Sequence, residues 1–119
     1  MIQGKVPSVT SSIPAAIRDF IETTNRGDSA AFVDTFTPDA TLNDWGTEFH
    51  GRDAISDWNE TDNIGVQAHF DVVDLKPAGK PGSFVATLTV TSNKHSGTGP
   101  MTFVVEGEKI RSLEITPTP

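Results

Sequence analysis

Asp44, His50 and His69 are the side chains of this sequence best suited by type to moving protons, and a tryptophan, Trp45, directly follows Asp44. A carboxylate serves as general acid or base when its pKa is set by an apolar, partly dry surrounding. Trp45 and Trp58 are the aromatic residues that could supply one. The competing reading of Asp44 is a loop carboxylate that caps a turn or faces water, a place aspartate takes for reasons unrelated to catalysis. His50 precedes Gly51 and reads either as a structural residue orienting that loop or as a catalytic imidazole. His69 lies in an alternating strand pattern and reads either as solvent-facing or as a proton carrier in a pocket. Asp71 and Glu114 are further polar candidates, with Asn43 and Gln67 as hydrogen-bond donors; Glu114, alternating with Leu113 and Ile115, reads as a surface residue of a sheet.

Composition removes several other chemistries. Lysine and arginine number 9 against 16 aspartates and glutamates, a net charge of −7, so the field repels phosphate backbones and anionic headgroups and neither nucleic acid nor a membrane is expected as partner. The chain has no cysteine, which excludes disulfides, thiolate chemistry and cysteine-ligated metals. Its three histidines fall in separate elements without His-x-x-x-His spacing, so no metal and no cofactor is expected. No apolar run reaches the roughly eighteen residues of a bilayer span, and Met1 to Ser12 lacks the apolar stretch of a signal peptide, which points to a cytoplasmic protein.

The elements that would position these residues follow from periodicity. A length of 119 residues suits one domain, expected over 12–116 with flexible tails at 1–11 and 117–119. Behind Ser12 as N-cap, Ile13, Ile17, Phe20, Ile21 and Thr24 mark one face of a helix that Asn25-Arg26-Gly27 ends. Asp28 or Ser29 caps a second helix burying Phe32, Val33 and Phe36 before Pro38. Ala40 to Asp44 suits a brief strand, Trp45 to Gly51 a loop, and Ala54, Ile55 and Trp58 share the buried face of a third helix starting near Arg52 or Asp53. From Val66 the period is two, with Val66, Ala68, Phe70 and Val72 on one side and Gln67, His69, Asp71 and Val73 on the other. Strands follow at Phe84 to Thr91, Met101 to Glu106 and Ile110 to Ile115, with a polar loop at Thr91 to Gly99 and a tight turn at Glu106 to Lys109. Helices first and an antiparallel meander second make an α+β domain whose helices cover one sheet face.

Four segments carry a family resemblance: Phe20 to Asp28 ending in Asn25-Arg26-Gly27-Asp28, the run Phe36-Thr37-Pro38-Asp39-Ala40, Leu42 to Gly46, and His50-Gly51-Arg52-Asp53-Ala54-Ile55. In this order the chain, from Ile13 to Ile115, resembles the nuclear transport factor 2-like superfamily in its SnoaL-like and ketosteroid isomerase-like branch. The resemblance implies a cone-shaped fold, three N-terminal helices packed on a curved antiparallel sheet, with an apolar pocket at the wide end and a homodimer formed through the sheet. Val85 and Val104 are expected on that outer face. Asp44 falls at the branch's catalytic carboxylate, so the resemblance makes it the general base.

The branch also needs donors for an enolate oxygen, a tyrosine and a protonated aspartate in ketosteroid isomerases. Phe20 stands at the tyrosine's place, the chain has no tyrosine, and the aspartate's place falls near Pro100 or Met101. The Asp-Arg-Asp set of the epoxide hydrolase branch is missing too, since Phe84 to Thr91 carries no charge. The expectation is therefore a small-molecule enzyme of SnoaL-like type, an isomerase, cyclase or lyase moving a proton on an apolar carbonyl-bearing substrate. Asp44, His50 and His69 are its candidate catalytic groups, and Phe20, Phe32, Trp45, Trp58, Phe70 and Met101 its pocket lining. The alternative is a non-catalytic ligand-binding or dimerisation module of the same fold.

Overall fold

A computed structural model of the chain describes residues 13–116. The expected tails and the Ser12 cap lie outside the described residues. Helix α1, Ala15–Asn25, starts behind Pro14 and buries Ala16, Ile17, Phe20, Ile21, Thr23 and Thr24. Proline is tolerated there because the first N–H groups of a helix have no internal partner. At the other end Gly27 takes a φ of 71°. The Asp28 N–H then bonds the Thr23 carbonyl at 2.9 Å and the Gly27 N–H that of Thr24 at 3.0 Å, the paired closure that a left-handed glycine permits. Asp28 accepts from the Ala31 N–H at 3.1 Å and opens α2, Ser29–Asp34.

Two expectations fail in the next stretch. Phe36 does not continue α2 but begins strand β1, Phe36–Asp44, because Pro38 drives the residue before it to extended backbone. Its missing N–H falls between Phe36 and Thr41, where pairing with the last strand slips, the kind of irregularity that accommodates proline in a sheet. The segment read as a loop from Trp45 to Gly51 is a hairpin: Asp44 pairs with Thr47, and β2 spans Thr47–His50. Trp45 at φ 53° and Gly46 at φ 96° form its two-residue turn, both left-handed as the twist of a tight hairpin requires.

Helix α3, Gly51–Asp62, buries Ile55, Trp58 and Asn59. A single 3₁₀ turn, Ile64–Val66, takes the place of the first residues expected in strand. A Cβ on Gly65 would lie 1.5 Å from the Glu60 carbonyl oxygen, so glycine alone lets the chain fold back over the end of α3. Strands β3 (His69–Pro77), β4 (Ser83–Thr91), β5 (Gly97–Glu106) and β6 (Lys109–Ile115) complete a six-stranded sheet of order β2-β1-β6-β5-β4-β3. The β1–β6 pair is parallel and the other four are antiparallel. The domain is thus α+β, with the sheet mixed rather than wholly antiparallel and α3 following two strands rather than preceding the sheet. Strand β5 starts at Gly97, so the expected loop shortens to residues 92–96.

Phe20 occupies the centre of the core. Its ring centroid lies 5.2 Å from those of Phe70 and Phe103, 5.4 Å from Phe32 and 6.2 Å from Phe36. Such pairs add about 0.5–1.5 kcal/mol each beyond the area they bury. Three helices meet above the core on two buried asparagines. Asn63 Nδ2 donates to Thr24 Oγ1 at 3.0 Å and to Asn59 Oδ1 at 3.1 Å, and Asn59 Nδ2 donates to Ser29 Oγ at 3.0 Å. The Asn25 side chain clamps the start of β3, donating to the Phe70 carbonyl at 3.0 Å and accepting from the Phe70 N–H at 2.7 Å. Among the described residues no helix is long and apolar enough to cross a membrane.

Candidate active site

The strand directions bring one end of the sheet together. Asp44 ends β1 beside Ile115 at the end of β6, and Ile115 pairs with Met101 midway along β5, whose first half, from Gly97, runs on beside the end of β4. The end of β4 and the start of β3 meet at the same end, where His69 pairs with Thr91. The Trp45-Gly46 turn and loop 92–96 therefore flank one opening although some fifty residues separate them in sequence.

Asp44 is half-buried there, and the buried Trp58 of α3 donates its indole N–H to Asp44 Oδ2 at 2.9 Å. A cavity of about 370 Å³ opens beside the pair, within the size range of small-molecule sites. One wall is apolar, formed by Trp58, Phe70, Val90, Pro100, Met101 and Ile115, while Asp44, Asp62, Asn63, Ser92, Lys94 and His95 line the rest. Loop 92–96 is shaped by Ser92, whose Oγ donates to the His95 carbonyl at 2.6 Å and accepts from the backbone N–H groups of His95 (2.9 Å) and Lys94 (3.2 Å). The Lys94 ammonium pairs with Asp62 Oδ1. That hydrogen bond, then the charge of Asp62 and a smaller contribution from Asp44, hold it above the ordinary lysine range. Trp45 stands at the rim, 58% exposed, its ring edge-on to His95 at 5.9 Å between centroids. A bulky residue at positive φ is uncommon and marks local strain.

Asp44, Trp45, Trp58, Phe70 and Met101 line one cavity. The other expected positions need correction. Phe20 and Phe32 are fully buried core residues behind the wall, with Phe20 stacked on the back of Phe70. His50 is exposed at the junction of β2 and α3 and forms no side-chain cap there. His69, on the strand face opposite Phe70, is exposed with Nε2 3.4 Å from Asp71 Oδ1. It borders a different concavity at the end of α1. Neither imidazole lines the cavity; His95 does. Asn43 Oδ1 accepts from the Gly46 N–H at 2.9 Å and supports the turn, while Gln67, Asp71 and Glu114 are exposed. Asp62, Asn63, Ser92, Lys94 and His95 escaped the sequence reading. The one signal for them was a polar loop whose place in the meander returns it to the end of the sheet holding Asp44. Among the described residues no cluster of three or more metal-ligating side chains occurs.

The family profile of the SnoaL-like domain matches residues 17–113, and the chain belongs to that family, within the nuclear transport factor 2-like superfamily. No curated protein matches it. Among solved structures it is similar to a candidate polyketide cyclase from Sinorhizobium meliloti, with 20% identity, 92% of this chain and 100% of that one covered, and a TM-score of 0.81. It is also similar to a Mycobacterium tuberculosis protein in complex with estradiol-17β-hemisuccinate (15% identity, 88% and 94% covered, TM-score 0.76). A candidate ketosteroid isomerase from Kribbella flavida shares 16% identity over 89% of this chain and 82% of its own, with a TM-score of 0.70. At these identities the likeness establishes the fold.

Proposed function

We propose that this chain is a small-molecule enzyme of SnoaL-like type, an isomerase, cyclase or lyase that moves a proton without a cofactor on an apolar carbonyl-bearing substrate. Asp44 is the acid/base, and the sheet curls over α1 into a cone whose mouth is the cavity. The observation that carries this reading is the carboxylate of Asp44 on the cavity wall with one oxygen held by the indole of a buried tryptophan. The indole fixes the carboxylate's direction, so the other oxygen takes the proton from a carbon beside the substrate's carbonyl. The apolar wall holds the hydrocarbon part of the substrate and limits water around the reacting atoms.

The test uses 2-decalone, a bicyclic ketone, and follows deuterium uptake beside its carbonyl in D2O by NMR. Asp44→Asn is expected to lower the enzyme-dependent rate by about 10²–10⁴-fold, and a variant exchanging at the full rate would sink the assignment. A non-catalytic binding module is the second reading. It is favoured by the way the loop's polar groups already bond one another, Lys94 with Asp62 and Ser92 with His95, and it predicts ligand retained in native mass spectrometry with no exchange in the parent protein. The homodimer belongs to the same proposal. Val73 is 60% exposed, and Val85 and Val104, half-buried in the single chain, offer apolar surface on the sheet. A sedimentation coefficient of a monomer at micromolar concentration would refute it.

A further inference from the structure

We propose that Lys94 is a catalytic residue that receives the negative charge created when Asp44 takes a proton, its ammonium donating to the substrate's enolate oxygen. The inference rests on reading Asp44 as the base and fills the place left by the missing tyrosine and aspartate.

Three observations carry it. Lys94 lines the same cavity as Asp44. Its Nζ is held by Asp62 Oδ1, a carboxylate on the last turn of α3, four residues beyond the tryptophan that holds Asp44. One helix thus orients both the base and the cation. An ammonium has three N–H groups, and one bond to Asp62 leaves two for a ligand. Held above the ordinary lysine range by Asp62 and Asp44, it stays charged at neutral pH, which suits a hydrogen-bond donor rather than a proton acceptor or an amine nucleophile. His95 is the other cation-forming group on the loop, but its ring is set against Trp45 at the rim.

The step balances within the cavity. Asp44 removes the proton from the carbon beside the carbonyl. The C–H pair becomes the carbon–carbon π bond of the enolate, and the carbonyl π pair moves onto oxygen. Asp44 becomes neutral as the oxygen becomes negative, so the net charge of the site is unchanged and only its position shifts toward Lys94. Where the substrate carries a carbon–carbon double bond one position beyond the deprotonated carbon, the intermediate is a dienolate, and return of the proton from Asp44 to its far carbon re-forms the carbonyl, shifts the double bond and closes an isomerisation.

The test is made in Asp44→Asn, which mimics the base after it has been protonated. The probes are 2-naphthol, whose neutral and ionised forms fluoresce differently, and 2-methoxynaphthalene, the same ring system without an ionisable oxygen. The Asp44→Asn protein is expected to bind 2-naphtholate in preference to the ether. Adding Lys94→Gln should weaken naphtholate binding at least tenfold while ether binding changes less than twofold, and Lys94→Arg should restore most of it. Equal affinity for naphtholate with and without Lys94, or equal loss of both probes, overturns the proposal. Because this binding needs no turnover, its failure is separable from that of the base, which the deuterium exchange reads alone.

Discussion

The two ends of the sheet solve opposite problems. At the closed end five phenylalanines converge, with Phe20 touching Phe32, Phe36, Phe70 and Phe103, and every member of the cluster is at most 3% exposed. At the open end a half-buried carboxylate, an ion pair and a tryptophan at positive φ surround empty volume. Phe70 belongs to both, with one ring face on Phe20 and the residue on the cavity wall. Stability is concentrated in the packed end, while the open end keeps groups whose conformation or charge costs free energy. Activity and stability are therefore expected to respond to different substitutions.

The hardest blow to the closed end is Phe20→Ala. It should cost about 3–5 kcal/mol of unfolding free energy, read from urea denaturation, and a loss under about 1 kcal/mol would show that the cluster is not the stabilising region. A smaller effect of opposite sign is expected at the open end. Trp45→Asn places a residue tolerant of left-handed backbone before Gly46, the pair that two-residue hairpin turns favour, and should raise stability by about 1 kcal/mol. The same change removes the aromatic rim and should weaken ligand binding in the naphthalene assay; stability and affinity rising together would break the comparison.

The smallest effect is expected at Asp39, an exposed residue of β1 that belongs to neither the phenylalanine cluster nor the cavity. The hydrogen bonds and charge of Arg111 hold this carboxyl below its ordinary range. A carboxylate depressed in the folded state contributes stability that is present above its unfolded pKa of about 3.9 and lost as pH falls through the lower, folded value. Arg111→Gln should therefore raise the Asp39 midpoint in an NMR titration and make the acid-side fall in stability slightly shallower. An unchanged midpoint would show that the exposed pair is electrostatically idle.

The sequence disclosed these features unevenly, for physical reasons. The stripe from Ile13 to Thr24 is a direct record of helix α1, since period and burial coincide. The hairpin at Trp45-Gly46 was hidden because tryptophan is a poor marker of a left-handed turn position, and the missing cue was Asn43, whose side chain supports the turn. Pro38 read as a breaker and concealed the first half of β1. In β3 the alternation already set His69 against Phe70, so the pattern itself argued against a pocket imidazole. Lys94 and His95 could not be read locally. Their position depends on β6 running parallel to β1, a long-range pairing that puts the β4–β5 loop beside Asp44.

The clamp that Asn25 places on Phe70 has a consequence for how the protein behaves when crowded. Strand β3 is an edge of the sheet, and the outward N–H and carbonyl of an edge residue are a template on which another chain can add a strand. The Asn25 amide occupies both of those groups at Phe70, a register shift interrupts the strand between Val72 and Asp74, and the opposite edge is a strand of four residues running directly into α3. Strand addition is thereby hindered at both borders of the sheet, by a helix-end amide and an interrupted register on one side and by brevity on the other.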